Sequence, residues 1–228
     1  MSASAEERRE RLVDLFKEVS KCTKCPLHET RTKAVFGAGN ADADLMFVGE
    51  APGAEEDRQG LPFVGRAGQL LNQLLEEIGL ARDDVFIANV LKSRPPGNRD
   101  PQPDEIAACE PYLFEQVRLI EPKVVCTLGN FATKLLTGSP TGITKVRGTP
   151  QLHELGGRSV FLLPLLHPAA ALRTPAMKET LRGDFATIPG LLSGPAPEPV
   201  PSAEEIAEAE AEGGSTPPPP ADQLDMFG

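Results

Sequence analysis

No stretch of the 228-residue chain approaches the roughly 20 consecutive apolar residues that a membrane-spanning helix needs, and residues 1–20 are charged and helix-like, unlike an export signal. The chain is therefore expected to be soluble and cytoplasmic, with no membrane partner. Cysteine is scarce, at four residues, and a reducing compartment keeps thiols free, so these four are expected to be buried bystanders or metal ligands and not disulfides. Lys and Arg are missing altogether from residues 194–228, which hold eight of the 33 acidic residues. The net charge of −10 thus belongs mainly to that segment, and the rest, which carries all 23 Lys and Arg, is close to neutral. Whole-chain charge does not exclude a nucleic-acid partner for a domain whose positive charge gathers on one face. The glycine-rich loop at Gly49 lacks both the G-K-[ST] ending and the G-x-G-x-x-G spacing of nucleotide-binding loops, and Gly37-Ala38-Gly39 precedes a strand where a dinucleotide fingerprint would follow it. No internal repeat is present.

What is there is alternation. Up to about residue 188, short apolar runs rich in β-branched residues alternate with amphipathic stretches, which predicts a three-layer α/β/α fold around a four-stranded parallel sheet. The predicted strands are 44–49, 85–91, 123–129 and 160–166, each too continuously apolar for a sheet with one wet face. Helices are expected over 5–20, 67–79, 103–120, 129–137 and 175–187, the third begun by Pro103-Asp104-Glu105. The folded domain is expected to span 1–193. Residues 194–228, dominated by Pro, Ala, Glu, Gly and Ser, bury too little apolar surface to offset the entropy of ordering and are expected to be disordered.

Ligands of open parallel sheets sit beyond the carboxyl ends of the strands. The segments leaving those ends here are Gly49-Glu50-Ala51-Pro52-Gly53, then Asn89 to Arg99, then Gly129-Asn130, then His167 to Arg173. Polar residues, glycines and prolines therefore gather on one sheet edge. The cysteines divide into Cys22-Thr23-Lys24-Cys25, a C-x-x-C ahead of the sheet, and the isolated Cys109 and Cys126. Spacing alone leaves zinc, iron–sulfur and simple burial all open.

Cys22-x-x-Cys25-Pro-Leu-His, Gly49-Glu50-Ala51-Pro52-Gly53, Pro62-Phe63-Val64-Gly65-Arg66-Ala67-Gly68, Asn89-Val-Leu-Lys92, Arg94-Pro-Pro-Gly-Asn98-Arg99 and His167-Pro168 together resemble the family 4, iron–sulfur uracil-DNA glycosylases over about residues 20–190. The resemblance implies a 4Fe-4S cluster on Cys22, Cys25, Cys109 and Cys126. It also implies a monofunctional enzyme, monomeric and nucleoid-associated, that rotates uracil out of DNA into a pocket and hydrolyses its glycosidic bond. Gly49, Gly53, Phe63, Asn89 and Asn98 are expected to line that pocket. Phe63 would stack on the base, and the Asn89 carboxamide offers the one donor and one acceptor that match uracil O4 and N3–H and mismatch cytosine. Bond cleavage builds negative charge on the leaving base, so a donor on uracil O2 lowers the barrier; His167, at the end of the last strand, is the candidate. Glu50, the carboxylate of the first loop, is expected to orient or activate the attacking water. Where this chain has Ala51 and Gly53, family 1 enzymes carry an Asp and a thymine-excluding Tyr, so both tasks are met differently here.

Lys92, Arg94, Arg99, Lys145, Arg147, Arg173 and Arg182 are expected to form a phosphate-facing surface, with Leu172 as a wedge for the gap left by the flipped base. The stretch 94–99 has no histidine, which counts against a relative that traps the abasic sugar covalently on one. A catalytically silent DNA-binding protein and a zinc-stapled nucleotide-binding enzyme are the remaining alternatives. Finally, Gln223-Leu224-Asp225-Met226-Phe227 resembles the bacterial sliding-clamp-binding peptide, which makes the replication sliding clamp an expected partner.

Overall fold

The computed structural model describes residues 3–198. Of the segment 194–228 expected to be disordered, residues 199–228, including the clamp-like peptide, lie outside the described residues. In chain order the elements are α1 (Ala5–Ser20), β1 (Ala38–Gly39), β2 (Leu45–Gly49), α2 (Ala54–Gln59), α3 (Arg66–Glu77), β3 (Phe86–Asn89), α4 (Pro103–Ile120), β4 (Val124–Leu128), α5 (Asn130–Thr137), α6 (Ile143–Val146), β5 (Gln151–Leu155), β6 (Arg158–Leu165), α7 (Pro168–Ala171), α8 (Pro175–Phe185) and α9 (Ile188–Ser193). Short 3-10 turns at Pro26–Glu29, Arg82–Asp84 and Pro96–Asn98 complete the description.

Helix ends follow their local chemistry. Ser4 Oγ accepts from Glu7 N at 3.2 Å while the Glu7 carboxylate accepts from Ser4 N at 2.7 Å, a reciprocal pair that satisfies two orphan amides at the start of α1. The N-terminus of α4 is built around Pro103 and closed by Gln102 N donating to Glu105 Oε2 at 2.8 Å.

The sheet order is β1-β3-β2-β4-β6-β5. β3, β2, β4 and β6 are parallel, as expected for the four core strands, but the sheet has six strands and is mixed: β1 pairs antiparallel with β3, and β5 antiparallel with β6. The β5–β6 hairpin turns on Gly156 and Gly157, both at positive φ, which is what a two-residue turn between right-twisted strands requires. His153 lies in β5.

Strand alternation divides the core into two layers. Met46 and Val48 of β2, Val125 of β4 and Leu162 of β6 face α1, α4 and α5, whereas Leu45 and Phe47, Val124 and Cys126, and Leu163 and Leu165 face α3, α7 and α8. The chain runs from β2 to β3 on one side and later places β4 on the other. Strand order therefore reverses at β2, which opens a crevice at the carboxyl ends of β2 and β4.

Candidate active site

Gly49, the last residue of β2, Asn89, the last of β3, and Phe63, in the loop between α2 and α3, are all buried, and the side chains of Asn89 and Phe63 both close on Gly49. A Cβ placed on Gly49 would lie 2.4 Å from Asn89 Oδ1 and 2.8 Å from the Phe63 ring, so only glycine admits both side chains. Phe63 has φ of 49°, an uncommon backbone for a residue with a Cβ. Its neighbours hold it there. Arg82 Nη1 donates to the Phe63 carbonyl at 3.1 Å, and the amides of Val64 and Gly65 both donate to Glu56 Oε1 at 3.0 Å. Gly68 of α3 packs directly on the Phe63 carbonyl, where any side chain would clash. Such strain persists where surroundings enforce it, typically at a binding site.

Asn89 is 2% exposed, and its Oδ1 has no hydrogen-bond partner among the described residues. An unmade hydrogen bond of a buried carbonyl costs about 1–3 kcal/mol, so the empty acceptor is the mark of a position waiting for a donor.

His167 follows β6 and its ring centroid lies 5.7 Å from that of Phe63. Ala169 N donates to His167 Nδ1 at 3.1 Å, so Nδ1 is an acceptor and the ring proton resides on Nε2. Burial holds the imidazole below its usual pKa, with the Glu56 carboxylate opposing in part. Both features favour a neutral ring presenting an Nε2–H donor. Gly129, at φ of 97°, brings the start of α5 against His167: a Cβ added to the glycine would lie 3.1 Å from the His167 Cβ.

A cleft of about 590 Å³ opens beside this cluster, lined among others by Glu50, Asp100, Gly129, Asn130, Lys134 and His167. Burial, and then the charge of Asp100, holds the Glu50 carboxyl above the usual carboxylate range. Gly53 caps α2 and approaches Glu56, 2.7 Å from its Oε2 for an added Cβ.

Glu56 and Lys134 are functional candidates that sequence reading missed. Glu56 is hidden in the run Glu55-Glu56-Asp57, and no sequence feature separates the residue that braces Phe63 from its solvated neighbour. Lys134 is an ordinary helical lysine until α5 is seen to line the cleft.

Several expected contacts are corrected. Lys92 is not on the phosphate-facing surface: it is 2% exposed, its Nζ donates to Asn89 O and to Gln116 Oε1, each at 2.7 Å, and burial pushes its pKa down to about 7. Asn98 is exposed in the 96–98 turn and accepts from Arg94 Nε at 2.7 Å. Arg99, Arg147 and Arg182 are paired with Glu105, Asp184, and Glu77 and Glu179 respectively. Lys145 and Arg173 are exposed with no ion pair among the described residues, and Leu172 is 40% exposed at the end of α7.

The cysteines separate as well. Lys92 N donates to Cys109 Sγ at 3.5 Å, and Cys22, Cys25 and Cys109 all pack on the α1–α4 side of the sheet. Lys24, between Cys22 and Cys25, places its Nζ 4.7 Å from the ring centroid of Tyr112, one turn beyond Cys109 on α4. Burial pushes the Cys109 thiol up, and the nearby sulfurs of Cys25 and Cys22 add to the rise. Cys126, expected as the fourth ligand, is fully buried in β4 on the opposite side, opposite Phe47 and Leu163, and burial alone raises its thiol pKa.

The sequence profile of the uracil DNA glycosylase superfamily matches residues 36–186. A type-4 uracil-DNA glycosylase of Thermotoga maritima is 51% identical over 167 residues, covering 72% of this chain and 85% of the relative. One of Sulfurisphaera tokodaii is 48% identical over 182 residues, 78% of this chain and 83% of the relative, and one of Archaeoglobus fulgidus 45% identical over 183 residues, 78% and 92%. With the profile spanning most of the α/β fold and relatives matched over most of their own length, the chain belongs to the type-4 uracil-DNA glycosylases of the uracil DNA glycosylase superfamily.

Proposed function

We infer that the protein removes uracil from DNA by hydrolysing its N-glycosidic bond, the opening step of base excision repair, and that Asn89 reads the base. One observation carries the assignment of the reader: a buried carboxamide with an unpartnered Oδ1, held against an aromatic ring at the end of a parallel strand. Uracil N3–H supplies the donor that Oδ1 lacks, and Asn89 Nδ2 donates to O4; cytosine presents the reverse pattern at both atoms. Phe63, fixed by its strained backbone, supplies the stacking surface, and Gly49 leaves room for the ring edge.

As the bond breaks, negative charge develops on the base. His167 donates through Nε2–H to uracil O2, and because the imidazole is neutral it stabilises that charge as a positioned dipole with no proton to lose first. Glu50, on the cleft side, orients the attacking water and takes its proton. A base in a partly buried site is strengthened for proton abstraction by the same burial that raises its pKa. Lys134, Lys145 and Arg173 meet the phosphates, and Leu172 fills the space that the flipped nucleotide vacates.

The 4Fe-4S cluster of the resembled family fits the thiols of Cys22, Cys25 and Cys109, where it would fasten the segment after α1 to α4; Cys126 does not fit that site. The protein works as an intracellular, nucleoid-associated monomer that is tethered to the replication sliding clamp through Gln223 to Phe227. A gel assay on oligonucleotides containing uracil, thymine or hypoxanthine tests the central reading: uracil is excised and thymine is not. Absence of excision from every uracil substrate overturns it.

A further inference from the structure

The four cysteines cannot converge on one metal group without dismantling the sheet. Side chains alternate along β4, so Val125 points to the α1–α4 side and Cys126 to the α3–α8 side, where it packs with Phe47 and Leu163 at 0% exposure. The other three thiols lie on the α1–α4 side, with Cys109 touched by the Lys92 amide at 3.5 Å. Moving Cys126 to them requires a one-residue register slip of a central strand, which would turn every β4 side chain to the wrong face.

One buried oxygen donor does stand between the segments that carry the three thiols. Ser93 is 3% exposed and directly follows the residue whose amide reaches Cys109. Its Oγ accepts from Arg31 Nη1 at 3.0 Å, and Nη2 of the same arginine donates to Ser20 O at 3.3 Å. Arg31 and Ser20 bracket Cys22 and Cys25 in the chain, so Ser93 is tied to the C-x-x-C segment on one side and to Cys109 on the other.

We propose that the cluster of this chain is bound by three thiolates, from Cys22, Cys25 and Cys109, that Cys126 is a core residue with no part in it, and that the fourth ligand position falls to the Ser93 hydroxyl oxygen. The proposal rests on the reading that the protein carries an iron–sulfur cluster. Its chemical consequence is a site-differentiated cluster. Iron prefers soft thiolate in such clusters, so the iron without one is the first to leave. One-electron oxidation by added ferricyanide takes the 4Fe–4S core from the 2+ to the 3+ state, reducing ferricyanide to ferrocyanide, and the oxidised core then releases one Fe(II) to become a 3Fe–4S core of charge 1+.

The experiment purifies the full-length protein and its variants anaerobically and measures iron and sulfide per folded chain, visible absorbance and the EPR signal after ferricyanide. Cys126→Val and Cys126→Ala are expected to keep the wild-type iron content and spectrum, while Cys109→Ala loses both. Wild type gives the three-iron EPR signal on oxidation, and Ser93→Cys, which completes a four-thiolate set, suppresses it. A folded Cys126→Val that loses its iron as Cys109→Ala does overturns the ligand assignment while leaving the iron–sulfur reading intact. A Ser93→Cys protein that converts to the three-iron form as readily as wild type removes Ser93 from the fourth position. Iron-free wild type, whether empty or zinc-loaded, defeats the iron–sulfur reading and the proposal with it.

Discussion

Gly49, Phe63 and Asn89 are buried, with both side chains closing on the glycine, whereas Lys134, Lys145 and Arg173, on the segments that follow β4 and β6, are exposed and carry no ion pair among the described residues. The proposed base slot is held by its surroundings: Arg82 and Glu56 fix the Phe63 loop, and Lys92 Nζ fixes the Asn89 carbonyl. The basic rim is held by nothing comparable. A slot that reads one base against a near-isostere needs side chains that cannot adjust, because specificity lies in the cost of leaving a buried polar group unpaired. A rim that meets phosphates on any sequence needs charge at the right distance and gains little from rigidity. Substitutions in the slot should therefore cost orders of magnitude in excision, and substitutions on the rim small factors that depend on salt.

The largest effect is expected at Asn89. Asn89→Asp keeps the shape, removes the donor to uracil O4 and sets a carboxylate against it, so kcat/KM on uracil is expected to fall by at least roughly 1,000-fold with folding retained. Weak cytosine excision is expected to appear, since the new acceptor suits the cytosine amino group. Single-turnover assays on the two bases measure this, and unchanged uracil kinetics would remove Asn89 from base reading. Next comes Gly49→Ala, whose methyl would displace the Asn89 carboxamide and the Phe63 ring together. Excision is expected to drop by about 100-fold, since a misplacement on the order of 1 Å suffices for that, while DNA binding without base flipping is unaffected.

How much of this was readable in advance depends on what carries each feature. The four parallel strands were legible because strands buried on both faces are written as continuous apolar runs; β1, two residues long, and β5, half exposed, carry no such run. The Gly156-Gly157 hairpin did have a sequence signal, two glycines between alternating segments, that the parallel pattern overshadowed. Gly49, Glu50, Asn89 and His167 were placed on one edge because strand ends are predictable in parallel sheets. Their bracing was not, because Glu56 and Arg82 act through backbone groups of a loop whose path no periodicity encodes. Lys92 misled for a related reason: a lysine beside arginines reads as surface, and only the fold shows it buried against Asn89 and Gln116. The face of the sheet that receives Cys126 was in principle available from strand alternation, once Val125 and Cys126 are assigned to opposite sides.

Acidity should separate the two groups proposed for catalysis, Glu50 and His167. The Glu50 carboxyl sits above its usual range, so the proton that disables it as a base is taken up at a higher pH than for an exposed glutamate, and excision should begin to fall there as pH is lowered. Burial holds His167 below its usual range, so its imidazole keeps the neutral form to lower pH than an exposed histidine does. For stability the signs run the other way at Glu50. A carboxyl with a raised folded-state pKa favours the fold while protonated and loses that contribution as pH rises through the folded value. Glu50→Gln is thus expected to be slightly more stable than wild type at neutral pH, to lose the acid limb of the rate profile, and to excise uracil on the order of 100-fold more slowly, in line with removal of a general base. Thermal melts and pH–rate profiles of the pair measure both, and an acid limb that survives in Glu50→Gln assigns the limb to another group.

The smallest effects lie on the rim, where paired and unpaired arginines should part company. Arg173 is exposed with no carboxylate partner among the described residues, and Arg147 is paired at 3.1 Å with Asp184, which is 6% exposed and has a second oxygen with no partner of its own. Arg173→Ala should weaken DNA binding by a few-fold near physiological salt and reduce the slope of log K against log salt by about 1, the signature of one lost phosphate contact. Folding should be unchanged, because an exposed side chain with few contacts contributes little. Arg147→Ala should do the opposite: it strands a buried carboxylate, lowering stability by about 1–3 kcal/mol, while the salt slope keeps its wild-type value. Titrations of both variants on uracil-free duplex at several salt concentrations, with denaturant melts alongside, give four numbers from two proteins. If Arg147→Ala lowers the slope and leaves stability alone, the ion pair with Asp184 yields to phosphate when DNA binds, and the rim extends further along the sheet edge than the unpaired residues mark.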